Sequence, residues 1–162
     1  MTTTLHFPSP IGGLTLFARD GALVAIAFDD ELRGRAAPDA VDDPADPVLT
    51  QASRELLEYF SGARRAFTIP LRARGTNFQR SVWDALSEIP WGETRSYGDI
   101  AARVGRPRAV RAVGLANGRN PLPIVVPCHR VIGADGTLTG YGGGLPRKAK
   151  LLAIEGIAAR GV

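Results

Sequence analysis

Cys128 is the chain's one cysteine, and it stands in Pro127-Cys128-His129-Arg130 beside one of only two histidines. A lone cysteine forms no internal disulfide, so its worth lies in packing or in its own reactivity. A free thiol with a pKa near ~8.5 is only a few per cent thiolate at neutral pH, so a nucleophilic role needs a base or a lowered pKa. His129 is the candidate base. Neighbouring residues of an extended chain point to opposite faces, so adjacency alone does not bring the two side chains together. A bridging water, or a turn starting at Pro127, is needed. If Pro127 opens a helical turn, Cys128 sits near its positive end, which favours thiolate. A histidine base also wants a carboxylate to hold its tautomer and its imidazolium. Glu155 is the candidate, as the one acid downstream of Asp135 and on a helix that follows the glycine run Gly142-Gly143-Gly144. The competing reading makes Cys128 a small buried hydrophobe and His129 a satisfied core polar group.

Composition narrows the setting. The 162 residues suit one domain or two small ones, and 44% apolar with 22% charged residues is ordinary globular composition. One Cys and two His, at 6 and 129, give no cluster at zinc-finger or ribbon spacing, so no metal is expected. Met1 to Pro10 lacks the features of a secretory leader, and the apolar run Ala22 to Phe28 is too short to span a bilayer. A single cysteine fits a reducing cytoplasm. Charge is unevenly distributed. Residues 1–71 carry 6 Lys/Arg against 10 Asp/Glu, net −4, whereas residues 72–162 carry 14 against 6, net +8. A basic half-chain of this kind favours an anionic partner, with nucleic acid foremost.

The elements that must position the thiol follow from pattern. Thr2 to Phe7, Leu14 to Ala18 and Ala22 to Phe28 read as strands, the last two joined by the hairpin signal Asp20-Gly21. Asp29 to Pro47 reads as an acidic loop. Leu49, Ala52, Leu56, Leu57 and Phe60 recur at helical spacing up to Gly62, and Phe67 to Leu71 reads as a returning strand. A boundary is expected between residues 72 and 76, giving an N-terminal α+β domain over 1–72 and a C-terminal domain over 76–162. In the second, Thr76 and Gln79 have capping-box spacing and open a helix whose Phe78, Val82, Trp83 and Leu86 are expected in the core. Ser96 and Asp99 repeat that spacing and open Tyr97 to Val104. A turn at Gly105-Arg106-Pro107 leads to a second helix over Arg108 to Asn117. The pair reads as helix-turn-helix, with Ala109, Ala112, Val113 and Ala116 on one side and Arg108 and Arg111 on another. A last helix spans Pro146 to Glu155. The fold class is α+β: a small antiparallel sheet with a helix, then a mostly helical domain with a helix-turn-helix.

Pro127-Cys128-His129-Arg130-Val131-Ile132, followed by Gly140-Tyr141, Gly143-Gly144, Lys148, Leu151-Leu152 and Glu155, resembles the signature of the O6-alkylguanine-DNA alkyltransferases. Arg111-Ala112-Val113-Gly114, Asn120-Pro121, Trp91-Gly92-Glu93, Ser96-Tyr97 and the hairpin from Ser9 to Leu16 are similar to that family's short bacterial members. The resemblance implies a ribonuclease H-like first domain and a winged-helix-like second one. It implies direct-reversal repair of double-stranded DNA containing O6-alkylguanine, with O4-alkylthymine as a further substrate. The helix-turn-helix binds the minor groove, the damaged nucleotide is flipped out, and its alkyl group moves once and irreversibly to Cys128, with no cofactor. Cys128, His129, Glu155, Asn120 and Tyr97 are the implied catalytic set. Asn120 supports the site, and Tyr97 donates to guanine N3. Arg111, Ala112, Gly114, Thr94 and Ser96 are the implied DNA contacts, with Arg111 filling the gap left by the flipped base. Val131, Tyr141, Gly142 and Pro123 are the implied pocket. A monomer is expected in solution, and binding along DNA can be cooperative.

Gly142 stands where some members carry serine, which predicts a wider pocket. Two other functions compete. A non-enzymatic lesion binder would replace the nucleophile, which Cys128 argues against. A thiol hydrolase would turn over repeatedly without DNA.

Overall fold

Strict alternation and two tight turns build the first half of the chain. The computed structural model describes residues 1–31, 39–141 and 143–158, and it divides into two units, Met1–Ala73 and Arg74–Val162. In the first unit, β1 (Thr2–Ser9), β2 (Gly12–Arg19) and β3 (Ala22–Phe28) form an antiparallel meander. Asp20 and Gly21 carry φ of 50° and 76°, the left-handed pair that a type I′ hairpin turn requires. Leu14, Leu16, Leu23 and Ile26 are buried. Helix α1 (Pro47–Phe60) packs against these three strands. Asp46 caps it by accepting from the Val48 and Leu49 amides, and Pro47 occupies the first turn, where its missing N–H costs nothing.

Three expectations for this unit change. Residues 29–47 are not all loop, because Val41–Asp42 forms β4, parallel to β1, in a sheet of order β3-β2-β1-β4. The sheet is therefore mixed at one edge, and two residues are too few to leave a periodic signal. Phe67 to Leu71 makes a single parallel bridge, Leu23 to Leu71, and not a strand. The Leu23 amide donates to the Pro70 carbonyl at 2.8 Å and the Arg72 amide to the Leu23 carbonyl at 3.0 Å, while Pro70 has no N–H to extend the ladder. Leu57 is exposed, and Tyr59 takes the buried place on α1. Glu55 is also buried on that helix. It accepts from the Thr68 amide at 2.6 Å, the Thr68 hydroxyl at 2.7 Å and Gln51 at 2.8 Å.

The second unit runs α2 (Asn77–Ser87), β5 (Arg95–Ser96), α3 (Tyr97–Arg103), α4 (Val110–Gly118), a 3-10 turn Cys128–Arg130, β6 (Val131–Ile132) and α5 (Leu145–Ile154). Both capping boxes form, Thr76 with Gln79 and Ser96 with Asp99. Gly105, at φ 76°, makes the turn after α3. Helix α4 starts at Val110, two residues later than its sequence pattern, because Arg106 to Ala109 close a separate turn. Val82, Trp83, Leu86, Ile100, Val113 and Ala116 form the core among α2, α3 and α4, and the Trp83 indole donates to the Ala116 carbonyl at 2.8 Å. Phe78 is only half-buried; the Arg106 guanidinium lies 5.9 Å from its ring centre. Ala112 faces solvent instead of sharing the buried side with Val113 and Ala116. The β5–β6 pair joins Arg95 to Val131 and Ser96 to Ile132. It therefore ties the residue before Tyr97 to the strand that leaves the cysteine turn. No helix among the described residues is long and apolar enough to cross a membrane.

Candidate active site

The loop after α4 delivers the thiol. Asn120 is buried and closes the loop on itself: its Oδ1 accepts from the Leu122 amide at 3.0 Å and its Nδ2 donates to the Val126 carbonyl at 2.8 Å. The Val126 amide donates back to the Leu122 carbonyl at 2.9 Å. Inside this clasp Ile124 adopts φ 75° while 1% exposed. A β-branched residue in the left-handed region costs about 1–3 kcal/mol and persists only where its surroundings over-determine it. Pro127 then leads into the turn that carries Cys128, His129 and Arg130, all buried.

Burial dominates the thiol. It pushes the Cys128 pKa up to about 11, outweighing the Asn120 side chain, the Lys148 charge and the turn's own amides, which pull it down. The expectation that a turn beginning at Pro127 favours thiolate is thus reversed in the DNA-free chain. A three-residue turn aligns few peptide dipoles, and loss of solvation is larger.

His129 is fully buried, and its Nε2 lies 2.7 Å from Glu155 Oε2. With Nε2–H donating to the carboxylate, Nδ1 keeps its lone pair, and Nδ1 has no hydrogen-bond partner among the described residues. Burial holds the His129 pKa below its ordinary value, with Glu155 opposing and Arg130 and Lys148 assisting. Neutral imidazole is the resting form, with its accepting nitrogen available. The side chains of Cys128 and His129 make no hydrogen bond to one another among the described residues, although they are successive in the turn.

Glu155, at the C-cap of α5, is shared. Arg130 Nε donates to Oε1 at 2.7 Å and Nη2 to Oε2 at 3.0 Å, while Nη1 donates to the Ile89 carbonyl at 2.6 Å. Sequence reasoning passed over Arg130 as a site residue. The available signal was an arginine inside an otherwise buried motif, since a guanidinium is rarely buried without a carboxylate.

Tyr97, at the first turn of α3, is half-buried, and its ring approaches α4 at Gly114, where a Cβ would lie 3.9 Å from the ring. Its hydroxyl accepts from Thr139 Oγ1 at 3.1 Å and donates to the Thr139 carbonyl at 3.4 Å. Lys148, fully buried on α5, donates to the same carbonyl at 2.8 Å. Asn117, a second buried asparagine that was not anticipated, extends from α4 toward the Cys128 carbonyl, Nδ2 to O 3.5 Å.

Among the remaining candidates, Val131 and Pro123 are buried and Tyr141 is half-buried, while Gly142 lies outside the described residues. Arg111 and Ala112 are exposed on α4, and Gly114, Thr94 and Ser96 are half-buried. The Ser96 hydroxyl is occupied in accepting from the Asp99 amide at 3.0 Å. A cavity of about 480 Å³ between α2 and α3, bordered by Glu88, Arg95 and Arg103, includes none of the chemical residues. Among the described residues there is no group of three or more His, Cys, Asp or Glu able to hold a metal ion.

A buried thiol, a neutral imidazole fixed by a carboxylate and a neighbouring helix-turn-helix define a DNA-directed protein with one reactive sulfur. Residues 77–157 match the family model described as 6-O-methylguanine DNA methyltransferase, DNA binding domain, and residues 3–73 match its ribonuclease-like domain. The chain belongs to the 6-O-methylguanine DNA methyltransferase family. Membership places it among the cysteine methyltransferases of direct-reversal DNA repair. It is 54% identical over 147 residues to the methylated-DNA–protein-cysteine methyltransferase of Mycolicibacterium paratuberculosis, covering 91% of this chain and 88% of the relative. It is 49% identical over 150 residues to that of Methanosarcina acetivorans, covering 93% and 96%. The crystal structure of Mycobacterium tuberculosis OGT in complex with DNA superposes with a TM-score of 0.89 at 47% identity, covering 95% of this chain and 93% of that one.

Proposed function

We propose that this chain repairs O6-alkylguanine in double-stranded DNA by moving the alkyl group to Cys128, once per molecule, with O4-alkylthymine as a further substrate. The observation that carries the reading is the bare Nδ1 of a buried His129 whose other nitrogen is fixed by Glu155. That arrangement suits a base that receives the thiol proton through one water. The Cys128 sulfur attacks the alkyl carbon in line, the carbon–O6 bond breaks, and its electron pair leaves with the base. The thiol's proton, passed through the water and His129, ends on the restored guanine. A thioether has no good leaving group, so the sulfur is not regenerated.

A carbon attached to O6 inside the stack cannot meet a buried sulfur in line, so the nucleotide must be flipped, at a cost of a few kcal/mol. In this reading α4 enters the minor groove. Arg111, exposed at its start, fills the gap in the stack, and Ala112 and Gly114 allow close approach. Thr94 and Ser96 contact the backbone. Tyr97 turns its hydroxyl from the Thr139 carbonyl to guanine N3, which supports the charge arriving on the departing base. The carbonyls of Cys128 and Val131 accept from the exocyclic amine, and Pro123, Tyr141 and Gly142 wall the pocket. Asn120 holds the loop that presents the cysteine. Residues 76–162 carry both DNA binding and transfer, and residues 1–72 brace them. The protein acts as a monomer in the cytoplasm, where the thiol stays reduced.

Incubation with a duplex carrying O6-methylguanine, followed by mass analysis of the Cys128 peptide, tests this. One added methylene, with repair stopping at one lesion per protein, is the expected result. Tight binding with an unmodified cysteine sinks it. Cys128→Ala binds such DNA without repairing it.

A further inference from the structure

Lys148 is 0% exposed, and the scheme above gives it no task. Its ammonium donates to the Thr139 carbonyl at 2.8 Å and lies 6.0 Å from the centre of the Tyr97 ring. Among the described residues no carboxylate stands within 4 Å of it, and Glu155, the acid of the site, is taken by Arg130 and His129. A buried charge is costly unless it is paired, and a carbonyl with an aromatic face is a thin substitute for a carboxylate. Replacing such a cation by an apolar side chain of similar volume is often neutral or stabilising. The charge is therefore kept at a cost to the fold, and the missing partner is an anion that the resting protein does not contain.

We propose that this anion is the Cys128 thiolate, and that Lys148 is a positioning residue whose fixed positive charge favours the sulfur's loss of its proton. The proposal rests on the alkyl-transfer reading and supplies its electrostatic part. Cys128 is the charged group whose coupling to Lys148 holds the lysine up, against burial, which brings it down to about 8. The same lysine pulls the thiol down against its own burial. The other polar and titratable groups around the pair are Tyr97 from α3, the Thr139 carbonyl, His129 in the turn and the Arg130–Glu155 pair behind it. His129 is also affected, since the Lys148 charge opposes imidazolium. Lys148 thus pushes both sites the same way, toward an ionised sulfur beside a neutral base. Lys148 keeps its own proton throughout, and the proton of the sulfur leaves toward His129.

The chain's single cysteine gives a test that needs no DNA. Wild type and Lys148→Met are treated with iodoacetamide across a pH series, and the carboxamidomethylated Cys128 peptide is quantified. The ratio of the two rates removes differences in access to the sulfur. Wild type is expected to react about tenfold faster or more at pH 7, for a shift of one pKa unit or more. The two rates should converge above about pH 9, as Lys148 loses its proton. A ratio that is the same at every pH, as a purely packing role would give, overturns the proposal. Lys148→Arg provides a second reading if the Met variant does not fold: it should match wild type at pH 7 and exceed it above about pH 9, and equality with wild type at both overturns the proposal. Methylation of wild-type Cys128 by O6-methylguanine DNA, measured in parallel, reports separately on the transfer reading itself.

Discussion

Arg130 closes a two-point fork on Glu155, Nε on Oε1 at 2.7 Å and Nη2 on Oε2 at 3.0 Å, beside the 2.7 Å contact from His129. The carboxylate is therefore already neutralised when His129 needs it, so it orients the imidazole and does not compete for its proton. Glu155→Gln keeps the shape and loses the charge. Alkyl transfer should fall by about 10²-fold or more while the fold, read by circular dichroism, persists. Arg130→Met leaves a buried carboxylate short of its main partner, and thermal or urea unfolding should show a loss of about 3–5 kcal/mol. A fully stable Arg130→Met chain would contradict this account.

Asn120 holds both ends of the loop in front of Cys128 through the Leu122 amide and the Val126 carbonyl. Asn120→Ala removes both bonds and leaves two buried backbone groups unmet, at about 1–3 kcal/mol each. The chain is expected to lose stability and, with Ile124 released from its φ of 75°, to react more slowly at Cys128. Asn120→Asp keeps the acceptor only and should fall between the two. Single-turnover repair assays alongside denaturant melts distinguish the series.

The site makes stability depend on pH from both sides. His129 is held below its ordinary pKa, so the unfolded chain binds the proton first, and stability falls as pH drops below about 6.5. The Cys128 thiol is held up to about 11, so the unfolded chain loses its proton first, and stability falls as pH rises from about 8.5 toward that value. Melting midpoints across pH 5 to 11 should show both slopes. His129→Gln should flatten the acid limb alone and Cys128→Ser the alkaline limb alone.

Ser96 caps α3 one residue before Tyr97, its Oγ accepting from the Asp99 amide at 3.0 Å. Ser96→Ala should destabilise by about 0.5–2 kcal/mol. Because the cap sets the start of the helix that bears Tyr97, repair should slow by more than the lost stability accounts for. Ser96→Thr, which keeps the cap, should restore both, and equal repair rates for all three would separate cap from chemistry.

With glycine and no hydroxyl at position 142, the pocket is expected to admit ethyl as well as methyl lesions at comparable rates. Parallel single-turnover assays on the two duplexes measure this, and a steep loss on ethyl would rule it out.

The features legible in sequence are those whose partners lie within a few residues. Asp20-Gly21 must turn because both positions tolerate positive φ. Thr76 with Gln79 and Ser96 with Asp99 reveal helix starts because both members of each capping box are three apart. Pro127-Cys128-His129-Arg130 is equally local, and the charge split between the halves of the chain needs only counting. Tertiary structure decided what depends on residues far apart in sequence. Glu155 meets His129 and Arg130 across 26 and 25 positions, and Tyr97 meets Thr139 across 42. The two-residue strand β4 exists only because β1 offers it an edge. The ionisation of Cys128 turned on the same distinction: its neighbours in sequence argue for thiolate, whereas the walls folded around it withhold the water that a thiolate needs. Sequence alone identified the reactive atom, and packing determined that this atom rests as a thiol beside a neutral imidazole and a buried ammonium.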